Sequence, residues 1–291
     1  MTVARPVLAV ALCACTSQQP STTPAPSASP ASLGARDTRV PGYPDQTATS
    51  SPQPPPAPGT TPPPWLGTRP LPRRPDGYGE VRPTPRALDP RRFTVPDTLA
   101  PLPGDGFAAR VERAPADVLA RSTWEPGCPV AAADLSWVRL SFWGFDDQRH
   151  TGELLVHASV ADDLVGVFRT LYRDRFPLEE LRITPRAELD AEPTGDGNDT
   201  GAFVCRPSTG STTTFSQHAY GLAIDVNPFQ NPYLKGDLVL PELASAYLER
   251  DRQRPGMLTD AVVAAFARIG WEWGGDWQSL KDYQHFSQNG R

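Results

Sequence analysis

His218 and Asp225 lie seven residues apart in Ser216-Gln217-His218-Ala219-Tyr220-Gly221-Leu222-Ala223-Ile224-Asp225-Val226-Asn227-Pro228. The chain has only four histidines, and another of them, His285, sits in Asp282-Tyr283-Gln284-His285-Phe286 near the C-terminus. Two imidazoles and one carboxylate make a ligand set for a single zinc ion with its fourth position open, as hydrolytic zinc requires. One carboxylate and two neutral imidazoles leave such an ion a residual charge of about +1, which acidifies water. Asp282, three residues before His285, is the candidate general base, taking a proton during attack and returning it to a leaving amine. Arg206, directly after Cys205, is the candidate cation for the developing oxyanion.

These residues are far apart in sequence, so the elements between them must bring them together. Gly221 to Val226 reads as a strand, with Leu222, Ile224 and Val226 toward a core and Gly221, Ala223 and Asp225 on the other face. The small residues on that face leave room for an ion. Upstream, Ser136 to Phe142 alternates, with Val138, Leu140 and Phe142 on one side, and Gly152 to Val156 reads as the returning strand. Val160, Leu164, Val167, Phe168 and Leu171 then fit one face of a helix ending before Phe176-Pro177. Leu181 to Ile183 is a short strand candidate, and residues 190–214 read as loop. Pro241 is expected to open a short helix containing Leu243 and Tyr247. A further helix starts at Thr259 or Asp260, buries Val262, Val263, Phe266 and Ile269, and stops at Gly270. Strands and helices are segregated, which predicts an α+β fold, a small antiparallel sheet with flanking helices. Of the other histidines, His157 reads as structural, and His150 is a minor candidate for the cleft lining.

Composition sets the domain limits. Of the 35 prolines, 24 fall in residues 1–103. The expected organisation is a signal peptide at 1–15, a Pro/Ser/Thr-rich disordered linker at 16–104, and a folded domain at 105–291. Pro54-Pro55-Pro56 and Pro62-Pro63-Pro64 favour polyproline II, so the linker reads as a semi-rigid spacer, with a partner-binding tract as the alternative. The net charge of −5 carries no basic patch and argues against nucleic acid. No apolar run reaches the roughly 18 residues of a membrane-spanning helix. The N-terminus has Arg5, a short apolar run from Val7, and Leu12-Cys13-Ala14-Cys15, which resembles a bacterial lipobox. Cys15 is therefore the expected lipidation site, anchoring the chain on the outer face of the cytoplasmic membrane; an ordinary secretory signal is the alternative. Membrane contact is expected only through that anchor, and the chain is expected to be a monomer. Cys128 and Cys205 remain in the folded part, and a disulfide between them is the economical reading in an exported protein, two free thiols the alternative.

The pattern Ser-x-His-x-x-Gly-x-Ala-x-Asp followed by Asp-x-x-His-Phe resembles the zinc D-alanyl-D-alanine carboxypeptidase and L-alanyl-D-glutamate peptidase family. Trp143-Gly144-Phe145-Asp146, His150-Thr151-Gly152-Glu153-Leu154, Phe176-Pro177, Ala202-Phe203-Val204-Cys205-Arg206, Asn231-Pro232-Tyr233 and Trp273-Gly274-Gly275-Asp276-Trp277 extend the likeness over residues 106–291. The resemblance implies a Hedgehog-like α+β zinc fold, peptidoglycan stem peptides as substrate, and one zinc held by His218, Asp225 and His285. It implies Asp282 as general base and Arg206 as transition-state cation. It assigns Ser216 to the metal surroundings or the substrate, and Tyr220 in the same stretch is a second such candidate. The segment Asn198 to Arg206 departs from the family's pattern, and the loop from Arg186 to Gly197 diverges, so carboxypeptidase and endopeptidase action both stay open. A non-catalytic zinc-containing module that binds the wall or a partner is the competing reading.

Overall fold

The computed structural model describes residues 57–290. The signal segment, Cys13 and Cys15 lie outside the described residues. In chain order the elements are β1 (Ala109–Arg113), α1 (Ala116–Arg121), β2 (Leu135–Gly144), β3 (Arg149–His157), α2 (Ala161–Arg173), β4 (Pro177–Leu178), β5 (Glu180–Leu181), β6 (Asp199–Thr200), β7 (Ala223–Asp225), β8 (Tyr233–Lys235), β9 (Leu238–Leu240), α3 (Asp260–Ala267), β10 (Glu272–Trp273), β11 (Lys281–Asp282) and β12 (His285–Ser287). Short 3-10 turns join several of them. The fold is α+β, but its strands are divided among several small sheets.

The largest sheet runs β1-β2-β3, with β4 parallel to β2. Its alternating residues divide by face, as a pleat of period two requires. Val138, Leu140, Phe142, Leu154 and Val156 turn to the main core, where the apolar stripe of α2 (Leu164, Val167, Phe168, Leu171) covers them. Ile224 and Val226 around β7 and Phe286 of β12 belong to the same core, and Phe286 stacks on Phe266 of α3. The strands that carry the proposed ligands are thus backed by the sheet and both longer helices. Leu155 points the other way and packs with Leu135, Ile183 and Phe203, beside the Cys128–Cys205 disulfide.

Several expectations change. The disordered linker at 16–104 does not extend over its last part: residues 57–104 wrap the domain, burying Leu71, Leu88, Phe93 and Leu102. Leu71, Leu88 and Phe93 share a core with Phe229, Leu243, Tyr247 and Met257. Proline lacks a donor and has a fixed φ, so such a chain can lie extended on a surface with few ladder bonds. Composition alone therefore mistook a packed wrap for a spacer.

The predicted strand from Gly221 begins only at Ala223, because Gly221 is the left-handed cap of a 3-10 turn over Gln217–Tyr220. A Cβ at Gly221 would meet the His157 backbone nitrogen at 2.5 Å, so this glycine serves a close approach to the end of β3 and leaves no room for an ion. Ala223 is fully buried. The helix expected after Pro241 is a 3-10 turn at Ser245–Leu248, and Leu243 and Tyr247 are buried. The Leu181–Ile183 strand shifts to β5, and the 190–214 loop contains β6.

Candidate metal centre

Asp225 and His285 are brought together by strand pairing. β7 and β12 are antiparallel, with Asp225 opposite His285 and Ile224 opposite Phe286. The Asp225 backbone N–H and carbonyl both bond to Gly201, on the side away from β12. The Asp225–His285 pair is therefore the non-hydrogen-bonded kind, in which facing side chains approach most closely. Asp225 Oδ1 lies 3.1 Å from His285 Nδ1.

His218 comes from the 3-10 turn just before β7. Ser216 caps that turn, its hydroxyl accepting from the His218 backbone N–H at 3.3 Å. His218 Nδ1 lies 2.6 Å from the Ala202 carbonyl. A carbonyl can only accept, so Nδ1 carries the proton and Nε2 is left with its lone pair. That Nε2 lies 3.1 Å from His285 Nδ1 and 3.3 Å from Asp225 Oδ1.

These distances test whether the residues fit a metal ion. Ligand atoms about 2.0–2.1 Å from a tetrahedral zinc stand about 3.3 Å from one another. The triangle of His218 Nε2, His285 Nδ1 and Asp225 Oδ1 has sides of 3.1, 3.1 and 3.3 Å. Both histidines are buried, and the carbonyl bond fixes the tautomer of the first, as outer partners of metal-ligating histidines do. Burial opposes ionisation of Asp225, but the two imidazoles outweigh it and hold its carboxyl well below the usual carboxylate range. The donor set fits a divalent metal, and among the described residues it is the group of three that could hold one.

Asp282 stands on β11, paired with Tyr233 of β8. Its Oδ1 is buried and has no hydrogen-bond partner among the described residues. Burial, reinforced by the charge of Asp225, pushes its carboxyl up to about 7, against the opposing pull of His285, Gln284 and Arg206. A carboxyl poised there suits proton transfer near neutrality. The Trp273–Trp277 turn braces it. A Cβ at Gly274 would meet the Asp282 carbonyl oxygen at 2.6 Å, so only glycine fits there, and Trp273 Nε1 donates to the Tyr283 carbonyl at 2.9 Å.

The three triangle residues, Asp282, Arg206 and Ser216 line one cleft of about 760 Å³. Arg206 is the only arginine or lysine lining it among the described residues, and one of its Nη atoms donates to the Pro207 carbonyl. The Cys128–Cys205 disulfide closes beside it, as expected. Tyr220 departs from expectation: the 3-10 turn that aims His218 inward leaves Tyr220 outside the cleft lining. His150 also lies elsewhere, its ring bonded to Asp97 and Asp146, and His157 caps the turn before α2. Arg182 is held by Glu180, Glu188 and Asp199, and Arg186 by Glu125 and two carbonyls. Sequence reasoning missed Tyr233, Trp277 and Gln284 as lining residues. Trp277 stands in the Trp-Gly-Gly-Asp-Trp motif, and its ring packs 5.5 Å from that of His285, so the signal was present without a role. Tyr233 likewise stands in the Asn231-Pro232-Tyr233 motif, but its pairing with Asp282 is a long-range contact that no local pattern shows.

Residues 209–288 match the family model described as D-alanyl-D-alanine carboxypeptidase. The matched stretch contains Ser216, His218, Asp225, Asp282 and His285, and stops short of Cys205 and Arg206. No solved structure matches the chain.

Proposed function

We propose that the chain is a zinc-dependent peptidase that hydrolyses peptide bonds in peptidoglycan stem peptides, a reading supported by the match of residues 209–288 to the D-alanyl-D-alanine carboxypeptidase family model. The observation that supports it best is the His218–Asp225–His285 triangle, with the lone-pair nitrogen of His218 pointing into it, in the cleft that Asp282 also lines. Zinc held there by His218, Asp225 and His285 would supply Lewis acidity to water and to a scissile carbonyl. Asp282 accepts the proton of the attacking water at its carboxylate and delivers it to the leaving amine. Arg206 sets a fixed positive charge on the cleft wall, where it offsets negative charge growing on the carbonyl oxygen. Ser216 holds the turn that aims His218. The disulfide supports an exported location, and a lipid anchor at Cys15 would keep the domain at the wall-facing surface of the membrane. We take the working unit to be the monomer.

The decisive experiment is digestion of purified muropeptides followed by mass spectrometry. Loss of one alanine identifies a carboxypeptidase, and loss of a longer piece an endopeptidase. Intact muropeptides with zinc-loaded protein would leave the non-catalytic binding module as the better reading.

A further inference from the structure

The wrapped segment also holds one wall of the cleft. Pro193, Thr194, Gly195 and Gly197 line the cleft on a loop with little regular structure of its own, followed by Asp199 at the start of β6. The Leu243 N–H donates to the Gly195 carbonyl at 2.9 Å, and three further anchoring bonds run to the wrap. Leu71 N–H donates to the Pro193 carbonyl at 2.7 Å, and Gly67 N–H to Asp196 Oδ2 at 3.0 Å. Arg91 Nη1 donates to the Asp196 carbonyl at 2.7 Å.

Arg91 is only 1% exposed. Its other two nitrogens grip Glu179, at 2.7 and 2.5 Å, and its guanidinium lies over the Phe229 ring. Glu179 accepts in turn from Asn198 Nδ2 at 2.7 Å, and Asn198 Oδ1 accepts from the Phe229 N–H at 2.8 Å. One buried polar chain thus joins the wrap, the cleft-wall loop and the turn that follows Asp225. Leu71 adds apolar backing: a Cβ at Gly195 would meet its Cδ1 at 2.5 Å.

We propose that residues 57–104 are part of the substrate-binding apparatus, with Arg91 and Leu71 as positioning residues that fix the 193–199 wall of the cleft against a bound peptide. The substrate named here rests on the peptidase reading; the bracing of the wall does not. These anchors converge on loop residues 193–196 and reach none of the metal-binding side chains. Their loss should loosen substrate binding and spare the metal.

The test uses the full chain and two variants. Leu71→Ala removes the backing of Gly195 without touching a charge. The double variant R91M/E179Q removes both members of the buried pair together, because removing one strands the other. Hydrogen exchange over residues 193–199 is expected to quicken about tenfold or more in each variant. Zinc content is expected to stay at the wild-type level, with KM raised roughly fivefold or more and kcat within about twofold. Unchanged exchange and KM in folded Leu71→Ala would overturn the proposal. So would parallel loss of zinc and kcat, which would make the wrap a general stabiliser. If the wild type cleaves no muropeptide, the peptidase reading fails, and the exchange measurement still decides whether the wrap holds the wall.

Discussion

His285 and Asp225 face each other as a non-hydrogen-bonded antiparallel pair, Nδ1 to Oδ1 3.1 Å, although sixty residues separate them in the chain. The pairing makes metal affinity depend on strand register, because a slip of one residue would turn one of the two to the opposite face. Ile224 opposite Phe286, both fully buried, pins that register through the core.

The first expected outcome concerns the metal. His218→Ala leaves two ligands and should abolish stoichiometric zinc. Asp225→Asn keeps the shape but removes the anionic donor. It should weaken zinc binding by at least the roughly 10–100-fold that loss of an outer-shell partner costs. Competition with a chromogenic chelator measures both, and wild-type affinity in either variant would remove the triangle from consideration.

Asp282→Asn separates chemistry from metal binding. Hydrolysis should fall about 100- to 10,000-fold, the range for a lost general base, while zinc content holds. Stability should not suffer. A carboxyl whose pKa is raised on folding costs stability as pH climbs from its unfolded value near 3.8 through its folded value, and asparagine escapes that cost. Above neutral pH the metal-free variant should therefore melt no lower than the metal-free wild type. Residual full activity would move the base elsewhere.

Sequence reading succeeded where one periodic segment specifies its own element. β2, β3, α2 and α3 follow from alternation or a 3.6-residue stripe, and they carry most of the main core. The metal triangle was legible because two uncommon residue types recur in two compact motifs. What stayed hidden is long-range or non-periodic. Arg91 looks like one of many exposed arginines in a Pro-rich tract, and only the fold gives it Glu179 as a partner. Tyr220 looked equivalent to its neighbours because the sequence showed no element over Gln217–Tyr220, where a 3-10 turn forms. Gly221, read as making room for an ion, instead accommodates the end of β3.

The disulfide offers a third test. Cys128 and Cys205 close a separation of 77 residues, worth about 4–5 kcal/mol on the chain-entropy model and often less in practice. The C128A/C205A variant should melt lower by roughly 5–15 °C for a domain of this size. Cys205 N–H also donates to Thr123 Oγ1, Val204 N–H to the His218 carbonyl and Ser216 N–H to the Arg206 carbonyl, so the stretch of chain leading to Arg206 stays tethered when the bridge is gone. Zinc content should accordingly hold while KM rises. Identical melting curves with and without a reductant would show that the bridge contributes nothing.

A fourth test uses pH. His150 Nδ1 lies 2.8 Å from Asp97 in the wrap, and Nε2 lies 3.1 Å from Asp146. The Asp97 bond raises the His150 pKa above 6.5; burial opposes this in part, and Asp146 adds to it. A histidine whose pKa is raised on folding stabilises fully below its unfolded pKa and loses that contribution as pH rises through the folded value. The window therefore opens near 6.5 and extends upward. His150→Gln should lower the melting temperature clearly at about pH 5.5 and much less at about pH 9, since only the protonated ring draws on both carboxylates. An equal loss at both pH values would mean that His150 contributes packing against Phe142 and that its charge does not help tie the wrap to β3.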